Sequence, residues 1–178
     1  MKLLIMIGLV VLGLAMVRSS CADDLPHVGQ MAVNFSLVDQ SGTMQELSHY
    51  HGRWLVLYFY PKDGTPACTA EACQYRDDVV KVHALGAEVM GVSIDDADSH
   101  AIFAKKHHLP FPLLADKNGT VAAAYGSMTN LLFFKLAKRN TFIIDPTGKI
   151  AKVYVAVDAN TNPAQVVMDL TAMIAHRQ

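Results

Sequence analysis

The fold is decided by residues 54–77, which read WLVLYFYPKDGTPACTAEACQYRD. The first seven form an almost continuous apolar and aromatic run, which is typical of a central β-strand buried on both faces. Pro61 ends this run, and a loop leads to Pro66, in a position where the first turn of a helix accepts proline. We therefore expect a strand, a loop and a helix that extends from Pro66 to about Leu85.

Outward from this unit, the chain alternates between strand and helix patterns. Residues 88–94 are again strand-like, so the two strands that flank the helix are expected to be parallel. Further strands are predicted at 33–38, 111–115, 141–145 and 149–157, and further helices at 95–108, 120–125 and 163–176. This order predicts an α/β protein with a thioredoxin-like fold, in which a central mixed β-sheet is flanked by helices.

Length and charge limit the architecture and the partners. The 178 residues are enough for one domain with a hydrophobic core, and too few to argue for two domains. The 15 Lys and Arg nearly balance the 16 Asp and Glu, which gives a net charge of −1. Because such a balance gives no electrostatic case for a polyanion partner, we expect no nucleic-acid partner.

The first 22 residues have the layout of a secretory signal peptide. Lys2 precedes an apolar run of about 15 residues, shorter than the ~20 of a membrane-spanning helix, and small residues suit cleavage after Ala22. We expect export to the periplasm or the medium, and a single mature domain over 23–178 without stable membrane association. Two alternatives are an uncleaved membrane anchor and a lipoprotein with its lipid on Cys21.

Cleavage would leave two cysteines, Cys68 and Cys73, both in the predicted helix. On an ideal helix, Cα atoms five residues apart are separated by about 8.6 Å, whereas a disulfide spans roughly 4.4–6.8 Å. A bond between the two therefore requires the start of the helix to unwind. The spacing favours a bond that forms and breaks over a permanent brace.

Cys68 is the candidate nucleophile. A thiol reacts as its thiolate, and an ordinary cysteine is only slightly ionised near neutral pH. Cys68 lies in the first turn of the predicted helix, where unpaired amides and the helix dipole favour an anion. Thr65, three residues earlier, carries a hydroxyl that can orient the sulfur or a substrate oxygen. The alternative is an unreactive buried cysteine in a capped helix.

Residues 60–77 resemble the active-site segment of the peroxiredoxins, most closely the bacterioferritin-comigratory or peroxiredoxin Q branch. The resemblance extends over nearly all of the mature chain. It implies that Cys68 is the peroxidatic cysteine, that Cys73 is the resolving cysteine of an intramolecular disulfide, and that Pro61 and Thr65 are the motif partners of Cys68. One departure is Ala67, which replaces the glycine usually found before the peroxidatic cysteine.

The resemblance also implies a distant cation in the site, since residues 139–145 are similar to the strand that carries the family's active-site arginine. Peroxide cleavage moves negative charge from sulfur to the leaving oxygen, and a fixed guanidinium can hydrogen-bond to both. Arg139 is the residue carried over, and an ordinary surface cation is its alternative interpretation. Glu71 matches an acidic or amide position that can orient this arginine.

The expected function is reduction of hydrogen peroxide and organic hydroperoxides through a sulfenic acid and an intramolecular disulfide, in antioxidant defence and redox homeostasis. The resemblance implies no metal, haem, flavin or nucleotide cofactor, and a thioredoxin-like or other dithiol reductant. We expect a monomer, because resolution is internal. Two other functions stay open: a copper-binding module, which would need closer cysteines, and a thiol–disulfide oxidoreductase, which the five-residue spacing disfavours.

Overall fold

The computed structural model of the protein describes residues 25–131 and 134–176, so the predicted signal peptide, with Cys21, lies outside the described residues. The strands are β1 (Ser36–Val38), β2 (Met44–Glu46), β3 (Trp54–Phe59), β4 (Ala87–Ser93), β5 (Leu113–Ala115), β6 (Met128–Leu131), β7 (Phe134–Ala137), β8 (Asn140–Ile144) and β9 (Ile150–Tyr154). The helices are α1 (Pro66–Ala84), α2 (Ala97–His107), α3 (Thr120–Ala124) and α4 (Asn162–Ala175), with a 3₁₀ turn at Leu47–Tyr50. None of the helices in these ranges is long and apolar enough to cross a membrane.

Five strands form the central sheet in the order β5-β4-β3-β8-β9. β4 is parallel to β3 and β5, whereas β8 is antiparallel to both β3 and β9. The predicted mixed sheet, including the parallel pair around α1 and the antiparallel hairpin of β8 and β9, is therefore confirmed. The chain crosses from β3 to β4 through α1, which is the connection that a parallel pair requires.

The side chains of β3 alternate between two core layers. Val56 and Tyr58 pack in the layer that contains residues of α1, α2 and α4. Leu55 and Leu57 pack in the other layer, with residues of α3 and of the segment before β3. All six residues of β3 are buried because both faces of the sheet are covered, which is why the run is apolar without alternation.

Two small hairpins were not predicted. β1 and β2 form one antiparallel pair, and β6 and β7 form another, both outside the central sheet. Each strand has only three or four residues, too few for a period-two pattern to stand out. The predicted strand at 33–38 is correspondingly reduced to its last three residues, and the other predicted elements differ from the structure mainly at their ends.

The sheet brings distant parts of the chain to one edge. Phe59, at the end of β3, pairs with Asn140, at the start of the antiparallel β8. The loop that follows β3 and the residue that precedes β8 therefore lie next to each other. This edge carries Cys68, on the helix after the loop, and Arg139.

Candidate active site

Cys68 lies in the first turn of α1, as the sequence predicts, and its side chain is buried. The helix begins at Pro66 with Thr65 in the N-cap position, and Cys68 is 2% exposed. Its sulfur accepts a hydrogen bond from Nη2 of Arg139 at 3.1 Å. Both Cys68 and Cys73 are free thiols in this structure. The thiol, the helix start and a cation thus converge at one point.

Arg139 reaches Cys68 from the residue directly before β8. The guanidinium also forms an ion pair, through Nη1, with Oε2 of Glu71. Burial lowers the pKa of Arg139, but the Glu71 carboxylate and the Cys68 sulfur outweigh this, and the net pKa is raised. The guanidinium therefore stays charged and is held at two points, so the alternative of a free surface cation does not describe it.

The backbone around Arg139 is fixed by Asn140, a buried residue that the sequence did not single out. Its amide nitrogen donates to the hydroxyl of Ser127 at 2.9 Å, and its amide oxygen accepts from the backbone of Ala156 at 2.9 Å. The carbonyl of Arg139 itself accepts from the amide of Val157 at 3.0 Å. These bonds join the start of β8 to two neighbouring segments, which limits the freedom of the arginine.

Glu71 is a fully buried carboxyl group one turn after Cys68. Burial raises its pKa to about 7, although the charge and hydrogen bond of Arg139 act in the opposite direction. Its Oε1 atom has no hydrogen-bond partner among the described residues. Tyr58 and Tyr75 stack close by, with ring centroids 4.7 Å apart. The pKa of each tyrosine is raised, first by burial and then by Glu71, so both hydroxyls stay neutral.

Thr65 and Pro61 shape the loop before α1. Thr65 occupies the N-cap position, but its hydroxyl makes no capping bond to the helix. It donates instead to the carbonyl of Lys62 at 3.1 Å, so the oxygen keeps its lone pairs for a donor from outside. Pro61 is half-buried at the point where the chain leaves β3. The structure places both in the loop leading to Cys68, without a direct bond from the Thr65 hydroxyl to the sulfur.

Cys73 lies further along α1, half-buried, in a different environment from Cys68. Arg76, three residues later, is its neighbouring cation, and hydrogen bonding to Asp77 together with the Cys73 thiol raises the pKa of Arg76. The guanidinium also donates to the carbonyl of His107 at 2.9 Å. Both cysteines therefore have an arginine beside them, but only that of Cys68 comes from outside α1.

A buried polar cluster lies beside the loop, at residues that no local sequence pattern marks as functional. Nδ1 of His100 lies 2.8 Å from Oδ2 of Asp63, and the hydroxyl of Tyr60 donates to Asp63 at 2.7 Å. The sequence places His100 40 residues after Tyr60, and no local pattern links them. Within 25–131 and 134–176, no group of three or more His, Cys, Asp or Glu side chains could hold a metal ion.

Comparison with known proteins identifies the relatives of this chain. Residues 28–153 match the AhpC/TSA family. The chain is 45% identical over 126 residues to the chloroplastic peroxiredoxin Q of Triticum aestivum, a match that covers 71% of this chain and 58% of the wheat protein. The matched segment thus spans less than two thirds of that relative.

Two solved structures are similar over most of the chain. Peroxidoxin BcpB from Mycobacterium tuberculosis gives a TM-score of 0.78 at 35% identity, over 83% of this chain and 97% of that one. The bacterioferritin comigratory protein of Xanthomonas campestris gives a TM-score of 0.75 at 29% identity, over 79% and 92%, in a study of its alkyl peroxide reduction activity. These similarities confirm the thioredoxin-like fold and the resemblance on which the predictions rest.

Proposed function

This chain belongs to the AhpC/TSA family, and we propose that it is a thiol peroxidase of the peroxiredoxin Q type, with Cys68 as nucleophile and Cys73 as resolving thiol. The observation that carries the proposal is the contact of 3.1 Å between the Arg139 guanidinium and the Cys68 sulfur. A charged donor at this distance stabilises a thiolate better than a thiol, because the hydrogen bond becomes charge-assisted. The arrangement thus favours the reactive form of Cys68.

The first step is attack of the Cys68 thiolate on the terminal oxygen of the peroxide. The sulfur–oxygen bond forms as the O–O bond breaks, and the electron pair leaves with the second oxygen, which takes up a proton as water or an alcohol. Negative charge moves from sulfur to the leaving oxygen, and Arg139 can donate to both. The Thr65 oxygen, whose proton is engaged by Lys62, can accept a hydrogen bond from the peroxide.

The second step is condensation of the Cys68 sulfenic acid with the Cys73 thiol, which forms the disulfide and releases water. Both residues lie within the continuous helix α1, where Cα atoms five apart are about 8.6 Å from each other. The start of α1 must therefore unwind before the bond closes, which exposes the disulfide to a reductant.

The substrates and the reductant follow from the same chemistry. The similar Xanthomonas campestris protein has alkyl peroxide reduction activity, and we propose organic hydroperoxides as well as hydrogen peroxide for this chain. One thiol of a thioredoxin-type dithiol can attack the exposed disulfide to form a mixed disulfide and release one cysteine thiol. Its second thiol then displaces the other cysteine, so that Cys68 and Cys73 are both reduced and the dithiol leaves as a disulfide. Because the resolving thiol lies in the same chain, a monomer is sufficient for the cycle.

We also propose that residues 1–22 are a signal peptide and that residues 23–178 form one exported domain. Support comes from Lys2, the apolar run after it and the small residues before position 23. The intact mass of protein from the native host is expected to begin at Asp23. A mass that retains the first 22 residues, or a lipid on Cys21, would show one of the two alternatives to be right.

Thiol counting during peroxide turnover tests the enzymatic proposal. With dithiothreitol as the dithiol, the wild type should consume peroxide and, without it, lose two thiols per turnover as one intramolecular disulfide. Cys68→Ser should abolish consumption, whereas Cys73→Ser should stop at sulfenic acid and over-oxidise. Wild-type turnover by Cys68→Ser, or copper binding without peroxide consumption, would contradict the proposal. Disulfide-linked dimers with Cys73 free would contradict internal resolution alone.

A further inference from the structure

The loop between β3 and α1 is held by one carboxylate that receives three side-chain hydrogen bonds. Oδ2 of Asp63 is 2.8 Å from Nδ1 of His100 and 2.8 Å from the hydroxyl of Ser99. Oδ1 accepts from the hydroxyl of Tyr60 at 2.7 Å. His100 and Ser99 belong to α2 and Tyr60 follows β3, so Asp63 ties the loop to two separate elements.

The His100 ring lies between two hydrogen-bond acceptors. It is fully buried, with Nδ1 facing the Asp63 carboxylate and Nε2 3.2 Å from the carbonyl of Leu114. Burial raises the pKa of Asp63, but its interactions with His100 and its hydrogen bonds from Tyr60 and Ser99 outweigh it and the net pKa is lowered. His100 therefore links the Asp63 carboxylate to β5.

The main chain of the loop is anchored at the same residue. The amide of Asp63 donates to Oδ2 of Asp95 at 2.9 Å, and this oxygen also accepts from the hydroxyl of Ser93 at 2.7 Å. Asp63 is therefore fixed by its side chain and its backbone. The next residue, Gly64, has a positive φ of 69°, a conformation that favours glycine, and Thr65 and α1 follow directly.

We propose that Asp63 and His100 are positioning residues for peroxide reduction, which hold the loop that presents Thr65 and the start of α1 to the peroxide. The inference rests on the proposed peroxidase function. The pair touches neither Cys68 nor Arg139, whose contact is made by α1 and the residue before β8. Loss of the pair should therefore spare the thiolate but displace the groups that orient the peroxide, and such a displacement costs rate steeply.

The hydrogen bonds of Asp63 also limit how far the chain before α1 moves when the start of the helix unwinds. The first helical bond of this region runs from the amide of Thr69 to the carbonyl of Thr65 at 2.9 Å, beyond the anchored Asp63. When the start of the helix unwinds to close the disulfide, the chain up to Gly64 should stay in place. We expect hydrogen exchange to increase over residues 66–74 on oxidation, while the amide of Asp63 stays protected.

Two rates for Cys68 distinguish positioning from general damage. One is oxidation by hydrogen peroxide; the other is alkylation by iodoacetamide at the same pH, which reports the thiolate but needs no peroxide site. His100→Ala and Asp63→Asn should slow oxidation roughly 10- to 100-fold with alkylation within about twofold. His100→Gln, which keeps one donor, should recover part of the loss. The double variant should lose about as much as either single one, because the pair acts as a unit.

Asp145→Asn provides the matched control. Asp145 is a buried carboxylate that organises the turn between β8 and β9, where its Oδ1 accepts from the amide and hydroxyl of Thr147 at 2.8 and 2.6 Å. This turn is at the other end of β8 from Arg139. The control should lose stability but keep the ratio of oxidation to alkylation at the wild-type value.

The possible outcomes separate the inference from the function beneath it. If wild-type Cys68 is oxidised by peroxide and the His100 and Asp63 variants react equally fast, the positioning role is wrong and the peroxidase stands. Equal losses of oxidation and alkylation would also overturn it, since they show damage to the helix start. If the wild type itself is not oxidised, both the function and the inference fail. Melting temperatures of all variants identify any that do not fold, and the exchange experiment on the oxidised wild type then decides.

Discussion

Cys68 and Cys73, in the first and second turns of α1, differ in their burial and in the arginine beside them. Cys68 is 2% exposed and contacts Arg139, which directly precedes β8 and whose side chain is 14% exposed. Cys73 is half-buried beside Arg76, which lies on the same helix with a side chain that is 32% exposed. A cation held across the fold acts on Cys68 only while the helix start is folded. A cation on the same helix stays near Cys73 for as long as that turn remains helical.

This difference links the chemistry to the conformational change. In the proposed cycle, the guanidinium binds the Cys68 thiolate through a charge-assisted bond, which is about twice as strong as a neutral one. Once the thiolate becomes sulfenic acid, the sulfur carries no charge and this bond weakens. Oxidation thus removes part of the stabilisation of the helix start, at the moment when it has to unwind. On this proposal, the folded form favours attack on the peroxide and the unwound form favours resolution.

The largest expected effect comes from breaking the contact that defines the first turn. Arg139→Ala removes the cation from the thiolate and from the leaving oxygen, and oxidation of Cys68 should slow roughly 100- to 1,000-fold, as expected for loss of a preorganised charged donor. Stopped-flow measurement of oxidation and alkylation by iodoacetamide should both show a decrease. Lys138→Ala, at the exposed neighbouring position, is the control, and equal rates for the two variants would show that Arg139 does not act on the reaction of Cys68.

A smaller effect should follow from Glu71, which holds Arg139 in place. Its pKa is about 7 in the fold, against an ordinary value of 4.5, so the folded state binds the proton more tightly than the unfolded state. The stability that this proton provides is fully present below pH ~4.5 and is lost as the pH rises through about 7. Between pH 5 and 8 the free energy of unfolding of the reduced wild type should therefore fall relative to Glu71→Gln, by up to the order of 3 kcal/mol.

Urea unfolding at pH 5, 6.5 and 8 measures this difference. Glu46→Gln, which removes a carboxylate whose side chain is 44% exposed, is the control. If the curve of Glu71→Gln ran parallel to that of the wild type over this pH range, the raised pKa of Glu71 would be wrong.

The sequence predicts the first turn of α1 better than it predicts the residues elsewhere in the fold that hold the site in place. The apolar run of β3, the two prolines and the cysteine spacing are local patterns, and the structure has the strand, loop and helix where they indicate. The bond from Arg139 to Cys68 spans 71 residues, and only the resemblance to the peroxiredoxins indicated it.

The residues that hold Arg139 and the loop before α1 in place show no local sequence pattern. Asn140 fixes Arg139 through bonds to segments 13 and 16 residues away, and His100 meets Asp63 across 37 residues. Each is a single polar residue in an otherwise ordinary strand or helix. Their role depends on which elements the sheet places side by side, and periodicity carries no information about that. The short pairs β1–β2 and β6–β7 were missed for the related reason that they are too short to show a period.

The smallest expected effect concerns the second turn. Arg76 is close to Cys73, but its charge is shared with Asp77 at 2.8 Å and partly screened by solvent. A thiolate at Cys73 attacks the sulfenic acid faster than a thiol does, so removing Arg76 should slow disulfide formation by only about two- to threefold, the scale of an exposed charge interaction. Oxidation of Cys68 by peroxide should not change, because the cation that acts in that step is Arg139.

The second phase of a stopped-flow trace and the yield of sulfinic acid at high peroxide both report the rate of resolution, and the yield should rise as resolution slows. Lys81→Ala, an exposed cation further along α1, is the control. If Arg76→Ala instead slowed the first phase, the assignment of Arg139 to oxidation and of Arg76 to disulfide formation would be wrong. An unchanged second phase would mean that Cys73 needs no cation to resolve the sulfenic acid.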